Sequence, residues 1–499
     1  MPTVVFNDIS YIVPEGSRIS DLPPYKESAA LPCGGHGKCG KCKVTAKGML
    51  SPLSATEREG LTSDEIESGV RLACCTTVCG DCVICTLDAR TSARIRIAGD
   101  MPEISLHPAF SAYGVCVDIG TTTLAARLYN GEGTLLAEAG GLNPQSAYGA
   151  DVISRIEAAL KGEAHELAMS IRRAIDALLT ELTRAAGIAP NAIDGMVITG
   201  NTVMLHLLTE TSVEPLSHAP FAAERLFGEV LTAGELALTA LSPDAEIYLP
   251  PCAAAFVGAD ITTALLASGI CGQQGTALLV DIGTNGEMAL WHDGRLTFCS
   301  TAAGPAFEGA DISMGMGGKE GAIDSVCLVN GSLYAHVIGN IAPAGICGSG
   351  VVDTVACLLD TEQLDETGYL EDDPAMIAEP VSITQEDIRA VQLAKSAIHA
   401  GIRTLLHRAG IAPEAVGTLA IAGGFGSYLN TDNACKIGLL PAEMRPAIRV
   451  IGNAALAGAA MVLLSRDLRE QCARCATGEV AELSTDPVFA DEYMERMLF

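Results

Sequence analysis

Two stretches of the chain share one pattern of apolar and polar positions. In GVCVDIGTTTLAARLYNGEG and in ALLVDIGTNGEMALWHDGRL, an apolar run ends in Asp-Ile-Gly-Thr and a second apolar run follows. A turn dipeptide, Asn130-Gly131 or Asp293-Gly294, comes twelve residues after each aspartate, and such dipeptides are strong signals of a β-hairpin. The pattern predicts three strands in each copy, with the Asp-Ile-Gly-Thr loop at the first turn.

A second pair of stretches extends the repeat. AGIAPNAIDGMVITGNT aligns without a gap to AGIAPEAVGTLAIAGGF, and a helical pattern precedes each of them. In the second helix Thr384 and Asp387 form a capping box, and apolar residues recur on one face at Val391, Ala394, Ile398, Ile402 and Leu405. We therefore expect a duplicated α/β domain, whose second copy carries an insertion at 324–383 with the acidic surface segment LDETGYLEDDP.

The N-terminal part of the chain follows another pattern. VVFNDISYIVPEGSRI predicts a β-hairpin with PEG as its turn, SATEREGLTSDEIESGVRLAC contains a short amphipathic helix, and GDCVICTL predicts a strand. The predicted organisation is an N-terminal domain, a linker, two lobes and a C-terminal tail. Their ranges are 1–97, 98–112, 113–270, 271–465 and 466–499.

Composition and charge narrow the class of protein. No apolar run reaches the ~18 residues that a membrane span needs, so no membrane association is expected. The N-terminus MPTVVFNDIS lacks the features of a signal peptide, which favours a cytoplasmic protein whose 18 cysteines serve metal or redox chemistry rather than disulfides. The net charge of −29 argues against a nucleic-acid partner.

Four of the N-terminal cysteines have the spacing of a cluster site. Cys33, Cys39 and Cys42 are spaced C-x5-C-x2-C in a glycine-rich tract, and Cys74 follows in RLAC. Glycine lets the backbone wrap closely around an inorganic cluster. The layout resembles plant-type ferredoxins, and that resemblance implies a 2Fe–2S cluster held by these four residues.

Two other kinds of metal site match parts of this cysteine pattern. Zinc suits any C-x2-C pair, but an isolated fourth ligand after C-x5-C is unusual for zinc. Cys79, Cys82 and Cys85 have the spacing of part of a 4Fe–4S site, yet in a strand Cys82 and Cys85 fall on opposite faces and suit a core instead. Cys75 beside Cys74 leaves an exchange of ligands open.

The repeated loops have the chemistry of a nucleotide site. Small residues after each aspartate let backbone N–H groups meet phosphate oxygens, and the threonine hydroxyls add donors. Aspartates at strand ends can hold Mg²⁺ directly or through water. Two lobes that each present such a loop describe a hinged clamp around ATP.

These motifs resemble the ATPase superfamily of acetate and sugar kinases, Hsp70 and actin. DIGTTT and DIGTNGE match its phosphate loops, IAGGFGSYLN its adenosine loop, and ICGSG and GNAALAGA its hinge segments. With an N-terminal ferredoxin, and with TGNTVMLHLL, GPAFEGADISMG and the C-terminal tail, the chain resembles the reductive activators of corrinoid proteins. The implied fold is α/β: a β-grasp ferredoxin followed by a duplicated, two-lobe, actin-like ATPase.

The resemblance and the loop chemistry together suggest the site residues. Asp118 and Asp281 would position Mg²⁺ and water, and Glu287 would orient the water unless it is an exposed strand carboxylate. Phosphate contacts are expected from Gly120, Thr121, Thr122, Gly283 and Thr284. Adenosine contacts are expected from Gly423, Gly424 and Gly426.

Four further residues keep two interpretations each. Glu308 is treated like Glu287. Asn201 and His206 either lie near the cleft or serve as a helix cap and a packed imidazole. Lys395 either touches the nucleotide or points into solvent from its helix.

The resemblance implies an ATP-hydrolysing reductase. It would pass one electron from the 2Fe–2S cluster to a corrinoid protein and restore Co(I) from Co(II), with reduced ferredoxin or a similar reductase as donor. Plant-type clusters lie near roughly −400 mV, and an acceptor about 100 mV lower costs about 2.3 kcal/mol per electron, which ATP can supply. The protein is expected to be a monomer or a homodimer.

The sequence favours two other functions less. A small-molecule kinase with an attached redox sensor would need a substrate pocket and an aspartate base, and no residue stands out as that base. A chaperone-like module would need an apolar peptide-binding β-domain, which the sequence does not contain. The sequence also departs from the family in one respect. Only residues 98–112 separate the ferredoxin domain from the first lobe, where better-known members carry a longer linker and an extra middle domain.

Overall fold

A computed structural model describes residues 2–7, 9–22, 25, 31, 35, 37, 40–86, 102, 104–424 and 429–499. Cys33, Cys39 and Gly426, which the sequence analysis assigned to the cluster and to the adenosine loop, lie outside the described residues. Within the described residues, no helix combines the length and the apolar character that a membrane crossing requires.

In its described residues, the N-terminal domain is a five-stranded mixed sheet with two short helices. Its strand order is β2-β1-β5-β3-β4, in which β1 and β5 are parallel. The elements are β1 (Thr3–Phe6), β2 (Ile9–Ile12), β3 (Lys43–Leu50), α1 (Ala55–Gly60), α2 (Ser63–Glu67), β4 (Val70–Leu72) and β5 (Val78–Thr86). The predicted N-terminal hairpin is present as β1 and β2, but its turn was predicted wrongly. The turn begins at Asn7, which adopts a left-handed φ of 44°, whereas PEG follows β2, where Gly16 donates its N–H to the Val78 carbonyl at 2.8 Å.

The first lobe is built on a six-stranded sheet with the order β10-β11-β9-β6-β7-β8. Strands β6 and β9 are parallel, and β6, β7 and β8 form an antiparallel meander. The strands are β6 (Tyr113–Ile119), β7 (Thr123–Asn130), β8 (Leu135–Leu142), β9 (Ile193–Gly200), β10 (Glu229–Thr232) and β11 (Glu246–Leu249). The helices are α3 (Val152–Ala158), α4 (Ala164–Ala186), α5 (Thr202–Thr209) and α6 (Ala259–Ser268).

The second lobe repeats this arrangement, as the sequence predicted. Its sheet has the order β21-β20-β12-β13-β14-β22, with β12 and β20 parallel and β12, β13 and β14 antiparallel. These strands are β12 (Thr276–Ile282), β13 (Gly286–His292), β14 (Arg295–Thr301), β20 (Val416–Ala422), β21 (Ile448–Gly452) and β22 (Glu479–Val480).

The insertion of the second lobe is folded. It contains β15 (Ala322–Val329), β16 (Ser332–Val337), β17 (Gly345–Ile346), α7 (Gly348–Asp360), β18 (Ala375–Ala378) and β19 (Val381–Ile383). The helix that follows, α8 (Gln385–Ala409), starts at the predicted Thr384–Asp387 capping box. All five residues of its predicted apolar face are fully buried. The remaining helices are α9 (Thr431–Lys436), α10 (Ala454–Leu464), α11 (Leu468–Cys475) and α12 (Pro487–Glu495).

The two predicted hairpin turns differ from each other. Asp293 and Gly294 both adopt left-handed φ values, 48° and 78°, as a two-residue turn requires. The first copy forms a longer loop, in which the Asn130 side chain accepts from Glu132 N–H at 3.1 Å and Thr134 N–H at 2.8 Å. The asparagine side chain therefore takes over part of the role that a tight turn would have had.

Helices α6 and α10 join the two lobes. Although α10 lies in the range expected for the second lobe, Leu456 and Ala459 pack in one cluster with Cys116 of β6 and Leu266 of α6. The two helices touch through their backbones, since a Cβ atom at Gly458 would lie 1.9 Å from the Thr263 carbonyl oxygen. Only glycine fits at this crossing.

Candidate functional site

The two Asp-Ile-Gly-Thr loops occupy equivalent places in the two lobes. Asp118 lies near the end of β6 and Asp281 near the end of β12, each beside a parallel neighbour strand. Burial raises the pKa of Asp118 to about 6. Burial also raises the pKa of Asp281 to about 7, and the nearby Asp118 and Glu308 carboxylates act in the same direction. Without a cation, the ionised forms of these two predicted magnesium ligands would therefore repel each other.

Two more carboxylates join this group. Burial, followed by the charges of Asp281 and Asp118, raises the pKa of Asp260 well above its usual value. Burial, followed by the charges of Asp260, Asp281 and Asp118, raises the pKa of Glu287 well above its usual value. Asp260 is not among the site residues expected from the sequence, although an aspartate in the first turn of the otherwise apolar helix ADITTALLAS is a usable signal.

Glu287 is not the exposed strand carboxylate that the alternative interpretation expected. Only 6% of its surface is exposed, and it lies directly opposite Asp281 across the β12–β13 pair. Its buried Oε1 atom has no hydrogen-bond partner among the described residues. A buried oxygen of this kind, facing other carboxylates, requires a cation, a proton or water.

Mg²⁺ fits this donor set. All donors are carboxylate oxygens, the ligands that the ion prefers, and a divalent cation would remove the repulsion that raises their pKa values. Within the described part of the chain, no three acidic, histidine or cysteine side chains converge closely enough to ligate one ion together. Mg²⁺ would therefore be held partly through water, as this ion commonly is.

Buried side chains hold the first Asp-Ile-Gly-Thr loop in place through hydrogen bonds. Asn201 donates to the Thr121 hydroxyl at 3.1 Å and also caps α5 by accepting from Met204 N–H at 2.9 Å, so both of its proposed roles hold. Asn143 donates to the Gly120 carbonyl at 2.8 Å. Fully buried Arg155 donates to the Thr121 carbonyl, and burial lowers its pKa to about 9.

The sequence analysis did not identify Arg155. Its place in the helical pattern gave a signal, since Val152, Arg155 and Ile156 share one face of α3 and all three are buried. A buried arginine needs hydrogen-bond acceptors for its guanidinium group. Here the Thr121 carbonyl of the first phosphate loop is one of these acceptors.

Glu308 connects the two loops. Its Oε2 atom accepts a hydrogen bond from the Thr122 hydroxyl at 2.8 Å and another from the Thr284 hydroxyl. These are the hydroxyls that the sequence analysis assigned to phosphate. The Glu308 carboxylate therefore accepts hydrogen bonds from a hydroxyl of each lobe, at the place where phosphate is expected to bind.

The glycine turn of the second lobe lies against the carboxylates. Gly423 has a left-handed φ of 99°, and a Cβ atom there would lie 2.8 Å from Asp281 Oδ1. Among the described residues, no heavy atom lies within 4 Å of the position that a Cβ of Gly424 would take. The backbone here is thus free to face a ligand at Gly424 while Gly423 is packed against Asp281.

The described part of the cluster site brings two of the four cysteines together. Cys42 and Cys74 are buried and their Sγ atoms are 3.2 Å apart. Two thiolates on one tetrahedral metal are expected within about 4 Å, because each metal–sulfur bond is about 2.3 Å. Cys75 lies 3.6 Å from Cys74, and burial raises the pKa of the Cys75 thiol to about 11.

A buried ion pair supports the turn that carries Cys74, just after β4. Glu57 accepts from Arg71 Nε at 2.8 Å, from the Leu72 N–H at 3.2 Å and from the Thr76 hydroxyl at 2.8 Å. Burial alone would raise the pKa of Glu57, but these bonds and one from Ser54 lower it to about 2. The pair therefore fixes both sides of Cys74.

The three cysteines of β5 do not all share a face, since Cys82 lies on the face opposite to that of Cys79 and Cys85. Cys82 is buried in the sheet, whereas Cys79 is exposed and Cys85 is half-buried. The expectation that Cys82 and Cys85 point to opposite faces is confirmed. This placement favours packing over a shared cluster for this tract.

Two predicted candidates lie away from the cleft. His206 is fully buried, with Nδ1 2.9 Å from the Ser212 carbonyl and Nε2 2.9 Å from the Arg225 carbonyl, so it is the packed imidazole. Lys395 is also fully buried, and both of its predicted environments were wrong. Its Nζ donates to the carbonyls of Arg496 and Leu498 and lies 4.8 Å from the centre of the Phe499 ring.

Comparison with protein-family models covers most of the chain. The model of the C-terminal domain of RACo, its ASKHA domain, matches residues 275–499. The model of the RACo middle region matches residues 113–273. The region that this model names as the middle of RACo therefore coincides with the first lobe.

Two curated proteins and one solved structure are similar along the chain. The corrinoid activation enzyme RamQ of Eubacterium limosum is 36% identical over 421 residues, which cover 78% of this chain and 70% of RamQ. The Co(II) methylated amine-specific corrinoid protein reductase of Methanosarcina barkeri is 26% identical over 419 residues, 77% of this chain and 76% of that protein. The structure of a reductive activator for corrinoid,iron-sulfur protein is 27% identical, with a TM-score of 0.75, and the match covers 100% of this chain and 98% of that one.

Proposed function

Because this chain belongs to the RACo family of reductive activators of corrinoid proteins, we propose that it is an ATP-hydrolysing reductase that restores Co(I) from the Co(II) state of a corrinoid protein. The observation that carries the proposal is the group of buried carboxylates around Asp118 and Asp281 in a chain that also pairs Cys42 with Cys74. The first is suited to Mg²⁺ and ATP, and the second to a redox centre.

The nucleotide would lie between the lobes. Asp118 and Asp281 would hold Mg²⁺ through water, and Glu287 would orient the attacking water with its unpartnered oxygen. Phosphate oxygens would replace Glu308 as the acceptors of the hydrogen bonds from the Thr122 and Thr284 hydroxyls. The N–H groups of the two loops would donate further hydrogen bonds to the phosphates. Adenosine would lie against Gly423 and Gly424, with Gly426 in the same turn.

The 2Fe–2S cluster would be held by Cys33, Cys39, Cys42 and Cys74. When bound, it supplies one low-potential electron, which a reduced ferredoxin or a similar reductase replaces. The protein's part is to bury the Cys42 and Cys74 thiolates and to fix the turn that carries Cys74 through Glu57. The reaction would take place in the cytoplasm, by a monomer or a homodimer.

The test follows Co(I) absorbance of a corrinoid protein mixed with the reduced holoprotein, with and without Mg-ATP. ATP-dependent appearance of Co(I) is expected, together with loss of that dependence in Asp281→Asn. The matched control is Asp293→Asn, a change of the same chemistry at an exposed turn. Equal Co(I) with and without ATP would contradict the proposal, and ATP-dependent phosphorylation of a sugar or acid without reductant would favour the kinase instead.

A further inference from the structure

A lysine next to one of the predicted cluster cysteines contacts the second lobe. Lys41, the neighbour of Cys42, donates from Nζ to three backbone carbonyls: Gly309 at 3.0 Å, Ile312 at 2.7 Å, and Ala310. An ammonium group has three N–H donors. Each donor can therefore have an acceptor in this one segment, residues 309–312, which we call the carbonyl loop.

The N-terminal domain also touches the first lobe. The Leu31 N–H, which belongs to the same region as the cluster cysteines, donates to the Ser146 carbonyl at 3.2 Å, and Leu31 is buried. Ser146 lies in the turn that begins at Asn143, the residue that donates to the Gly120 carbonyl of the first phosphate loop. The domain thus bridges the two lobes, with Lys41 on one and Leu31 on the other.

The carbonyl loop is joined to the phosphate site through one residue. Gly309 follows Glu308, whose carboxylate accepts from Thr122 and Thr284. At the other end, the Ser313 N–H and hydroxyl both donate to Asp387 at 2.6 Å. The loop is therefore fixed to the second lobe on one side and to the phosphate-binding hydroxyls on the other.

The backbone of this segment has little freedom. Gly309 has a left-handed φ of 80°, and a Cβ atom there would lie 2.7 Å from Met316 N. The Met316 N–H in turn donates to the Ile346 carbonyl at 2.9 Å. Because the segment is tightly packed, a displacement of Glu308 is expected to move the carbonyls beside it rather than be absorbed locally.

From these contacts we propose that the N-terminal domain is docked across the nucleotide cleft by Lys41 and that nucleotide binding releases it. This inference rests on the proposed function only in assuming that ATP binds at the two loops. Phosphate that takes the hydroxyls of Thr122 and Thr284 displaces Glu308 and shifts the carbonyl loop. A change in the angle between the lobes separates the acceptors of Lys41 and Leu31, so both contacts persist at one lobe spacing only. Lys41 is a positioning residue, which sets whether the cluster faces the lobes or an external partner.

The experiment is small-angle X-ray scattering on the full-length holoprotein under anaerobic conditions, with and without Mg²⁺ and a non-hydrolysable ATP analogue. For the wild type, we expect the radius of gyration to increase when the analogue binds. Lys41→Met should show the larger radius without nucleotide and little further increase. Lys41→Arg, which keeps the charge and the donors, should behave as the wild type.

Lys43→Met is the matched control. It removes the same charge two residues away, but Lys43 pairs with Glu65 at 2.7 Å inside the N-terminal domain. It should keep the wild-type radius in both states. The visible spectrum of the cluster in each variant shows that its domain has folded.

Two outcomes would overturn the proposal: a wild-type radius that does not respond to the analogue under saturating conditions, or Lys41→Met with the compact radius of the wild type. The first needs no variant, so a Lys41 variant that fails to fold still leaves a test. Saturation is established by isothermal titration of the analogue. A normal scattering response with no Co(I) formation would leave the docking intact and reject the corrinoid function instead.

Discussion

The side-chain amide of Asn453 donates a hydrogen bond to the Asp118 carboxylate at 2.9 Å. The oxygen of the same amide accepts from the Leu456 N–H at 2.8 Å and so caps α10. One side chain therefore ties the start of an inter-lobe helix to the first phosphate loop. Because this bond favours the charged carboxylate, it opposes the effect of burial, which raises the pKa of Asp118 to about 6.

Asn453→Ala should move the acidic limb of the ATPase pH profile to higher pH. Removing the amide removes the interaction that favours ionised Asp118, and a hydrogen bond to a charged group contributes about 1.5–3 kcal/mol, so a shift of about one pH unit is expected. The measurement is initial hydrolysis rate against pH at saturating Mg-ATP. Asn433→Ala is the matched control, since Asn433 donates to Asp353 at 2.7 Å outside the carboxylate group; the same shift in both variants would contradict the assignment.

Mg²⁺ should bind more tightly as pH rises. Asp118 and Asp281 have pKa values of about 6 and about 7, and protons compete with the ion for both groups. Where one proton leaves for each ion bound, the apparent dissociation constant should fall by about tenfold per pH unit below these pKa values. Titration of Mg²⁺ into the protein with saturating ATP analogue, followed calorimetrically at several pH values, measures this slope.

Stability without Mg²⁺ should show the opposite trend. The folded pKa values of Asp118 and Asp281 lie above their usual value of 3.8, so the folded protein binds more protons than the unfolded chain between that value and about 7. Stability is therefore lost as pH rises through this window, and Mg²⁺ with nucleotide should restore it. Thermal midpoints with and without the ion check the sign; an ion effect that is equal at low and neutral pH would contradict it.

The repeat made most of the ATPase fold predictable. Apolar periodicity and turn residues depend on neighbours in the chain, so the strands around Asp118 and Asp281 and the capped helix at Thr384 followed from the sequence. Turn geometry was less certain, because an asparagine such as Asn7 or Asn130 can start a turn or cap a longer loop. The position of a turn therefore depends on pairing between strands as well as on its own residues.

Long-range contacts account for what the sequence did not show. Lys395 lies next to the apolar face of α8, and its burial comes from the C-terminal residues Arg496 and Leu498, a contact across about a hundred positions. Asp260 and Glu308 join the site in the same way, through the packing of distant segments. No local pattern records which distant carbonyl or carboxylate a side chain will meet.

Cys74→Ser should disrupt the 2Fe–2S cluster, and Cys75→Ser should not. The Cys74 Sγ atom lies 3.2 Å from the Cys42 Sγ atom, whereas Cys75 lies beside Cys74 with its pKa raised by burial. Iron and sulfide analysis, with the electron paramagnetic resonance spectrum of the reduced protein, measures the result. Full retention of the cluster in Cys74→Ser together with its loss in Cys75→Ser would move the fourth ligand to Cys75.

Lys395→Met should raise stability relative to the wild type more at pH 7 than at pH 10. Burial lowers the pKa of Lys395 from 10.5 to about 8, so the folded state disfavours the charged form below that value. The resulting penalty of about 3 kcal/mol fades as pH rises from the folded to the unfolded pKa, because unfolding then takes up a proton. Thermal midpoints of variant and wild type at both pH values measure the difference.

The matched control for this prediction is Lys436→Met. Lys436 forms an ion pair with Asp360 at the surface, with 38% of its side chain exposed. Its replacement should change stability by less than about 1 kcal/mol and by the same amount at both pH values. A difference between wild type and Lys395→Met that is constant with pH would show that the lysine is not charged and buried as described.

The contact of α6 with α10 at Gly458 limits how the lobes can move. Each helix links one lobe to the other, and their backbones meet where no side chain separates them, at the Thr263 carbonyl. Two helices in backbone contact at a single point can rotate about that point, but they cannot slide past each other unless they first separate. A methyl group at position 458 would push α6 and α10 apart at this contact and would change the angle between the two helices.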